Sequence, residues 1–382
     1  MNLNVLLRGQ SNAEAFGTVS GGALLAALAR DVERLLGFDG ATDTVSVLFA
    51  ADTADGANTV VGGTGFLTEW VGQRAADWRD GWYAKSLEQG LLDFVGRLPA
   101  EQRDDPTAVL WFHSEFDSQR GGLTAAEWES AVRYDAALLR ATFGQQADTV
   151  PYLFVSAHPY SVWWGRDSDT GHQAIRQGME NLAADRAFNA DIAARLLDTD
   201  INGDDPTDYG DQHLSPSDLA LAEGRIMRSL AETWAAYAKP GSPVALASGQ
   251  IDDHGPRAVA ATATAPNQLL VRFALDGATN LEALDADAAR GLGWSVRSAT
   301  GEEVEGSAAA LAGTDALLLT LDGPVPAGGK LFYGWGYGRL AGSNAPGQGN
   351  AVYDEQGMPV WVDAAGLAIA GVAASASVDP LL

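Results

Sequence analysis

The stretch Leu3-Asn4-Val5-Leu6-Leu7-Arg8-Gly9-Gln10-Ser11-Asn12 decides how the chain is read, because a short apolar run ends abruptly in a small polar turn. A run of that length closed by glycine suits a buried strand, and the turn after it would lie at the carboxyl edge of a parallel sheet, where open α/β folds place their sites. Ser11 is therefore a candidate nucleophile. The same turn also suits a plain strand-to-helix junction with Ser11 or Asn12 as helix cap.

Working outward, residues 1 to 238 alternate short apolar runs with longer amphipathic segments, the pattern of βαβ units around a parallel sheet. Strands are expected at Leu3–Leu7, Thr44–Ala50, Thr59–Val61, Ala108–Phe112 and Tyr152–Ser156. Helical spacing predicts helices at Ala23–Leu36, Ala84–Leu98, Ala125–Thr142, Ala174–Leu197 and Pro216–Ala238, the third opening with the cap-like Leu123-Thr124-Ala125-Ala126-Glu127. Lys239-Pro240-Gly241-Ser242-Pro243 breaks the last helix. Beyond it, residues 244 to 382 carry only β-like runs such as Leu269–Phe273, Trp294–Arg297, Leu317–Leu321 and Lys330–Tyr333, which predict a β-sandwich-like module packed on or beside the first domain.

The 382 residues carry a formal charge of −26, which repels polyphosphates and anionic membranes at long range, so neither nucleic acid nor a membrane is an expected partner. Lysine occurs only at Lys85, Lys239 and Lys330. The absence of cysteine excludes disulfides, thiolate zinc sites and a cysteine nucleophile. Neither a run of about 18 apolar residues nor a signal peptide is visible, which leaves the localisation open.

With only five histidines, a histidine-dependent hydrolase has few ways to be assembled. A nucleophilic serine needs a base, a group that orients the base, and donors for the oxyanion. Tyr209-Gly210-Asp211-Gln212-His213-Leu214-Ser215-Pro216 places a carboxylate two residues before an imidazole, close enough to fix its tautomer, although a capped helix start with a surface histidine fits the segment equally well. Trp111-Phe112-His113-Ser114-Glu115-Phe116-Asp117 ends another strand with two carboxylates and a histidine, which suit either a cleft or the bracing of neighbouring loops. Gly62-Gly63-Thr64-Gly65, followed by Trp70, is a turn whose glycines let backbone N–H groups approach a ligand.

Taken in order, these blocks resemble the carbohydrate-esterase branch of the SGNH hydrolases, the sialate O-acetylesterase-like and acetylxylan-esterase-type proteins. That family shows Gly-Gln-Ser-Asn, then Gly-Gly-Thr with a nearby Trp, then Trp-x-Gln-Gly-Glu-x-Asp, then Asp with His two or three places on. The likeness covers residues 1 to 238 and implies a flavodoxin-like three-layer α/β domain. It implies a serine esterase that removes acetyl or similar small acyl groups from a carbohydrate, with an acylated saccharide as partner and no cofactor. By the same resemblance Ser11 is the nucleophile, His213 the general base and Asp211 its orienting partner, with the Ser11 and Gly63 N–H groups as oxyanion hole. Gln10 and Asn12 would contact substrate or oxyanion, and Glu115 and Asp117 would support them. The third block departs from the pattern: His113 stands where the family has Gln, and Ser114 where it has Gly, so His113 is the expected substitute side-chain donor. A glycan substrate would suit an extracellular or periplasmic setting. A non-catalytic carbohydrate-binding protein on the same fold, or a lipase or thioesterase, are the alternatives.

Two further readings concern the remaining polar segments. Asp198, Asp200, Asn202 and Asp204 match the first half of a Ca²⁺ loop, with Gly203 at its sixth place, but Tyr209 stands where the bidentate Glu belongs, so the reading favoured is an acidic loop that positions Asp211. Residues 347 to 359 resemble the closing segment of some bacterial members, where the chain returns beside the catalytic domain.

Overall fold

The computed structural model describes residues 1–113, 115–156, 167–199, 213–336, 340 and 351–371. Its first half is a parallel sheet flanked by helices. Strands β1 (Asn2–Gly9), β2 (Thr44–Leu48), β5 (Thr107–Phe112), β6 (Tyr152–Val155) and β7 (Ala190–Ala194) stand in the order β2-β1-β5-β6-β7. A small antiparallel pair, β3 (Val71–Gln73) and β4 (Trp82–Ala84), lies apart. The chain leaves β1 toward β2 on one side and then returns to place β5 on the other, so the topological switch point falls between β1 and β5.

The two-residue period of the strands builds both layers. Leu3, Val5 and Leu7 of β1 enter the core shared with α2 (Ala23–Leu36) and α8 (Pro216–Thr233), while Leu6 faces the opposite core with α3 (Ser86–Arg97), α6 (Ala125–Phe143) and α7 (Asp167–Ala184). Helix α2 buries Leu28, Val32, Leu35 and Leu36, spaced as one helical stripe, and stops at Gly37, whose φ of 74° only glycine adopts readily. Helix α6 opens as its sequence predicts, with Thr124 Oγ1 accepting the Glu127 N–H.

Two expected elements change. The helix predicted over Ala174–Leu197 is α7 followed by strand β7, separated by a turn in which Asn189 takes a φ of 59°. Alanine-rich Ala190-Asp191-Ile192-Ala193-Ala194 favours helix locally, but pairing with β6 overrides that preference. The strand expected at Thr59–Val61 reduces to one bridge, Val60 to Gly9.

After the short helix α9 (Pro243–Leu246), whose Val244 packs in the α2–α8 core, the second half is a closed barrel, not the sandwich expected. Its strands run β10 (Trp294–Arg297), β11 (Glu303–Leu311), β12 (Ala316–Leu321), β9 (Gln268–Ala274), β8 (Arg257–Ala265), β14 (Leu367–Ala370) and β13 (Lys330–Tyr333). Closure comes from β13, which pairs with both β10 and β14 and so leaves no free edge, a pairing between distant segments that strand pattern alone does not specify. The Trp294 and Tyr333 rings, 4.3 Å apart, sit in the barrel core.

The halves are joined by polar contacts. Arg225 on α8 grips Asp198 through two hydrogen bonds of 2.8 and 2.6 Å, and Tyr353 donates to the same carboxylate at 2.9 Å. Arg176 on α7 donates to the Gly334 carbonyl at 2.6 Å. Among the described residues no helix is long and apolar enough to cross a membrane.

Candidate active site

At the carboxyl ends of β1 and β5 the sequence folds as a set of interlocking turns. Gly9 is required there, since a Cβ on it would lie 1.9 Å from the Phe112 carbonyl oxygen, inside covalent-contact range. Its carbonyl accepts from Val61 N–H at 3.1 Å, which brings the glycine turn to the end of β1. Gln10 then precedes helix α1 (Ser11–Thr18), so Ser11 occupies its first turn, where backbone N–H groups have no partner within the helix and the helix dipole favours negative charge.

Around Ser11 the glycine turn, Asn12 and Glu115 come together. A Cβ on Gly62 would lie 3.7 Å from the Ser11 Cβ, so this turn packs against the serine, and Gly62 N–H donates to Glu14 Oε2 at 3.0 Å. Gly63 follows with a φ of 69° and open space where a side chain would stand. Buried Asn12 binds in two directions: its Nδ2 donates to Glu115 Oε1 at 3.0 Å, and its Oδ1 accepts the Leu214 N–H at 2.9 Å. That second bond holds the backbone next to His213 against the first turn of α1. Gln10 Oε1 accepts the Phe116 N–H at 3.3 Å.

Helix α8 begins just beyond, capped by Ser215, whose Oγ accepts the Asp218 N–H at 3.2 Å. Asp211, Ser114, Asp200, Asn202 and Asp204 lie outside the described residues. Asp198, the first member of the calcium-like loop, has its carboxylate bound by Arg225 and Tyr353.

The third block braces the turns. Buried Asp117 accepts the Phe66 and Leu67 N–H groups at 2.8 and 3.0 Å, pinning the start of the π-helical segment Phe66–Trp70, and burial pushes its carboxyl up to about 7. His113 is buried among Phe66, Trp70 and Trp111, and its Nε2 lies 3.1 Å from the Thr64 carbonyl. That carbonyl requires the Nε2–H tautomer, so this N–H is given to the turn. Desolvation, then the nearby Arg8 charge, lowers its pKa to about 3, against the opposing Thr64 bond. In this arrangement His113 is a neutral strut under the glycine turn, with its Nε2 on Thr64. Thr64 is the hub of this support, since its Oγ1 donates to Val61 O at 2.7 Å and accepts the Trp70 indole N–H at 3.0 Å.

Beneath lies a group of residues that sequence reasoning missed. Arg8 is wholly buried, with its guanidinium 4.2 Å from the Trp111 ring centroid, ion-paired with Asp135 and 3.7 Å from Glu88. Tyr152 donates to the other Asp135 oxygen at 2.7 Å. Burial, opposed by Arg8, pushes Glu88 up to about 7. The visible signal was a lone arginine within an apolar strand run, which only a buried counter-charge could satisfy.

No family model and no curated protein matches the sequence. Among solved structures, the chain is similar to a carbohydrate acetylesterase from Xanthomonas citri, with 15% identity, 94% of this chain and 79% of that one covered, and a TM-score of 0.57. It also matches NanS at 12% identity over 61% of this chain and 97% of that one, with a TM-score of 0.40. At such identities the first likeness speaks to architecture: the chain shares the fold of a carbohydrate acetylesterase, with a parallel α/β domain joined to a β-barrel.

Proposed function

We propose that this chain is a serine esterase of the SGNH type that removes acetyl or similar small acyl groups from a carbohydrate. The observation that carries the reading is Ser11 in the first turn of α1 at the switch point, packed against the Gly62–Gly63 turn and tied through Asn12 to the backbone beside His213. The shared fold with a carbohydrate acetylesterase supports the substrate class.

In this reading Ser11 Oγ attacks the ester carbonyl while His213 takes its proton. Negative charge develops on the carbonyl oxygen and is met by the N–H groups of Ser11 and Gly63, one from the helix start and one from the turn. Collapse of the intermediate expels the sugar hydroxyl, protonated by His213, and leaves an acyl-enzyme. Water, deprotonated by His213, then releases the acid and restores Ser11. Asp211 orients the imidazole; Glu115 holds Asn12, Asp117 holds the start of the Phe66–Trp70 segment, and His113 holds Thr64. The reaction needs neither metal nor organic cofactor.

Hydrolysis of 4-nitrophenyl acetate and of a panel of acetylated polysaccharides by the wild type and by Ser11→Ala tests this. The mutant should fold normally and lose at least about 10³-fold in kcat. A fully active Ser11→Ala protein overturns the assignment.

A further inference from the structure

Within Glu115–Ser118, Phe116 faces outward while the other three residues are buried. Its neighbours Glu115 and Asp117 are 1% and 3% exposed, whereas Phe116 is 39% exposed, among the most exposed large apolar side chains described. Leaving that much of an aromatic ring in water forfeits part of its burial gain, yet its segment is held from three sides: its own N–H by Gln10, Glu115 by Asn12, and Asp117 by the amides of Phe66 and Leu67. The ring also lies against the glycine turn, since a Cβ on Gly65 would stand 3.2 Å from Phe116 Cδ1. A side chain at Gly65 would displace it.

We propose that Phe116 is a specificity-determining residue that stacks on the apolar face of the sugar carrying the acyl group. The inference rests on the esterase reading of the Ser11 site. An acyl pocket for a small group would be enclosed, whereas a ring open to solvent beside the oxyanion turn suits the alcohol half, which belongs to a longer saccharide and must leave after acylation. Phenylalanine offers the flat hydrophobic face that the C–H groups of a pyranose prefer, and needs no hydrogen-bond partner.

The test compares Phe116→Ala and Phe116→Trp in the active enzyme, and Phe116→Ala on the Ser11→Ala background. Phe116→Ala should raise KM for an acetylated xylo-oligosaccharide by about three- to ten-fold, with Phe116→Trp restoring it. The rate on ethyl acetate, whose alcohol has no ring, and the ratio of ethyl acetate to ethyl butyrate hydrolysis should both stay unchanged. An equal loss on ethyl acetate would make the ring an internal support, a shifted acetate-to-butyrate ratio would put it on the acyl side, and an unchanged KM would remove it from the substrate; each overturns the proposal. Calorimetric titration of the same oligosaccharide into Ser11→Ala and into Ser11→Ala/Phe116→Ala separates this from the parent reading. Binding weakened about three- to ten-fold by the second change supports the stacking role even if Ser11 proves dispensable for turnover, and equal or absent binding overturns it.

Discussion

Two histidines, His113 buried and His254 half-buried, sit in opposite surroundings. His113, under the glycine turn, is enclosed by aromatic rings and a buried arginine, and its pKa falls to about 3. His254 lies at the seam between the α/β half and the barrel, with Nε2 2.7 Å from Asp191 and Nδ1 2.7 Å from Asp253 and 3.7 Å from Asp276. Desolvation would lower it too, but hydrogen bonds to Asp191, Asp253 and Asp276 outweigh that and raise it to about 12. The three closest groups, Asp191, Asp253 and His254, also have the spacing of a metal cluster; two carboxylates facing the two ring nitrogens are fully accounted for by an imidazolium. The same side chain is held neutral in one place and favoured as a cation in the other, and only the neighbours decide which.

The contrast can be broken most severely at the seam. His254→Gln removes the cation that neutralises three acids, and we expect a loss of about 3 kcal/mol in urea unfolding near pH 6. Because the folded pKa is raised, this contribution is fully present below the unfolded value of 6.5 and shrinks as pH rises toward 12, so the gap between mutant and wild type should narrow from pH 6 to 9. A gap that widened with pH would show that the histidine is not held as a cation.

Under the glycine turn the effect is smaller and its pH slope is reversed. His113→Leu leaves the Thr64 carbonyl without its donor and should cost about 2 kcal/mol, whereas His113→Gln, which can still donate, should cost less than half of that. A depressed histidine pKa gives stability that is present above 6.5 and lost as pH falls toward 3, so here the gap should narrow on acidification, followed by thermal unfolding from pH 7 down to 4. If Gln and Leu proved equally damaging, the Thr64 bond would not be what His113 is for.

Features built from consecutive residues are legible in the chain, and those built across the fold are not. The turn at Gly9 to Asn12 was legible because its strand, its glycine and its helix are consecutive, and the same holds for the cap at Thr124. His254 was not legible as a cation: Asp253 is adjacent, but Asp191 and Asp276 arrive from β7 and from the end of β9. The contact of His113 with Thr64 is equally invisible in the chain, because its block names the residue and not the direction of its ring, which Thr64 meets from another segment. Barrel closure and the Arg8–Asp135–Glu88 group depend likewise on pairings across the fold, and the alanine-rich β7 masqueraded as helix until β6 was beside it.

Whether Ser11 is an activated nucleophile can be read by covalent trapping. Incubation with an alkyl fluorophosphonate, followed by intact-mass measurement and peptide mapping, should give one adduct per chain on Ser11, lost in His213→Ala. Absence of an adduct, or an adduct mapped to another residue while Ser11 stays unmodified, would contradict the account.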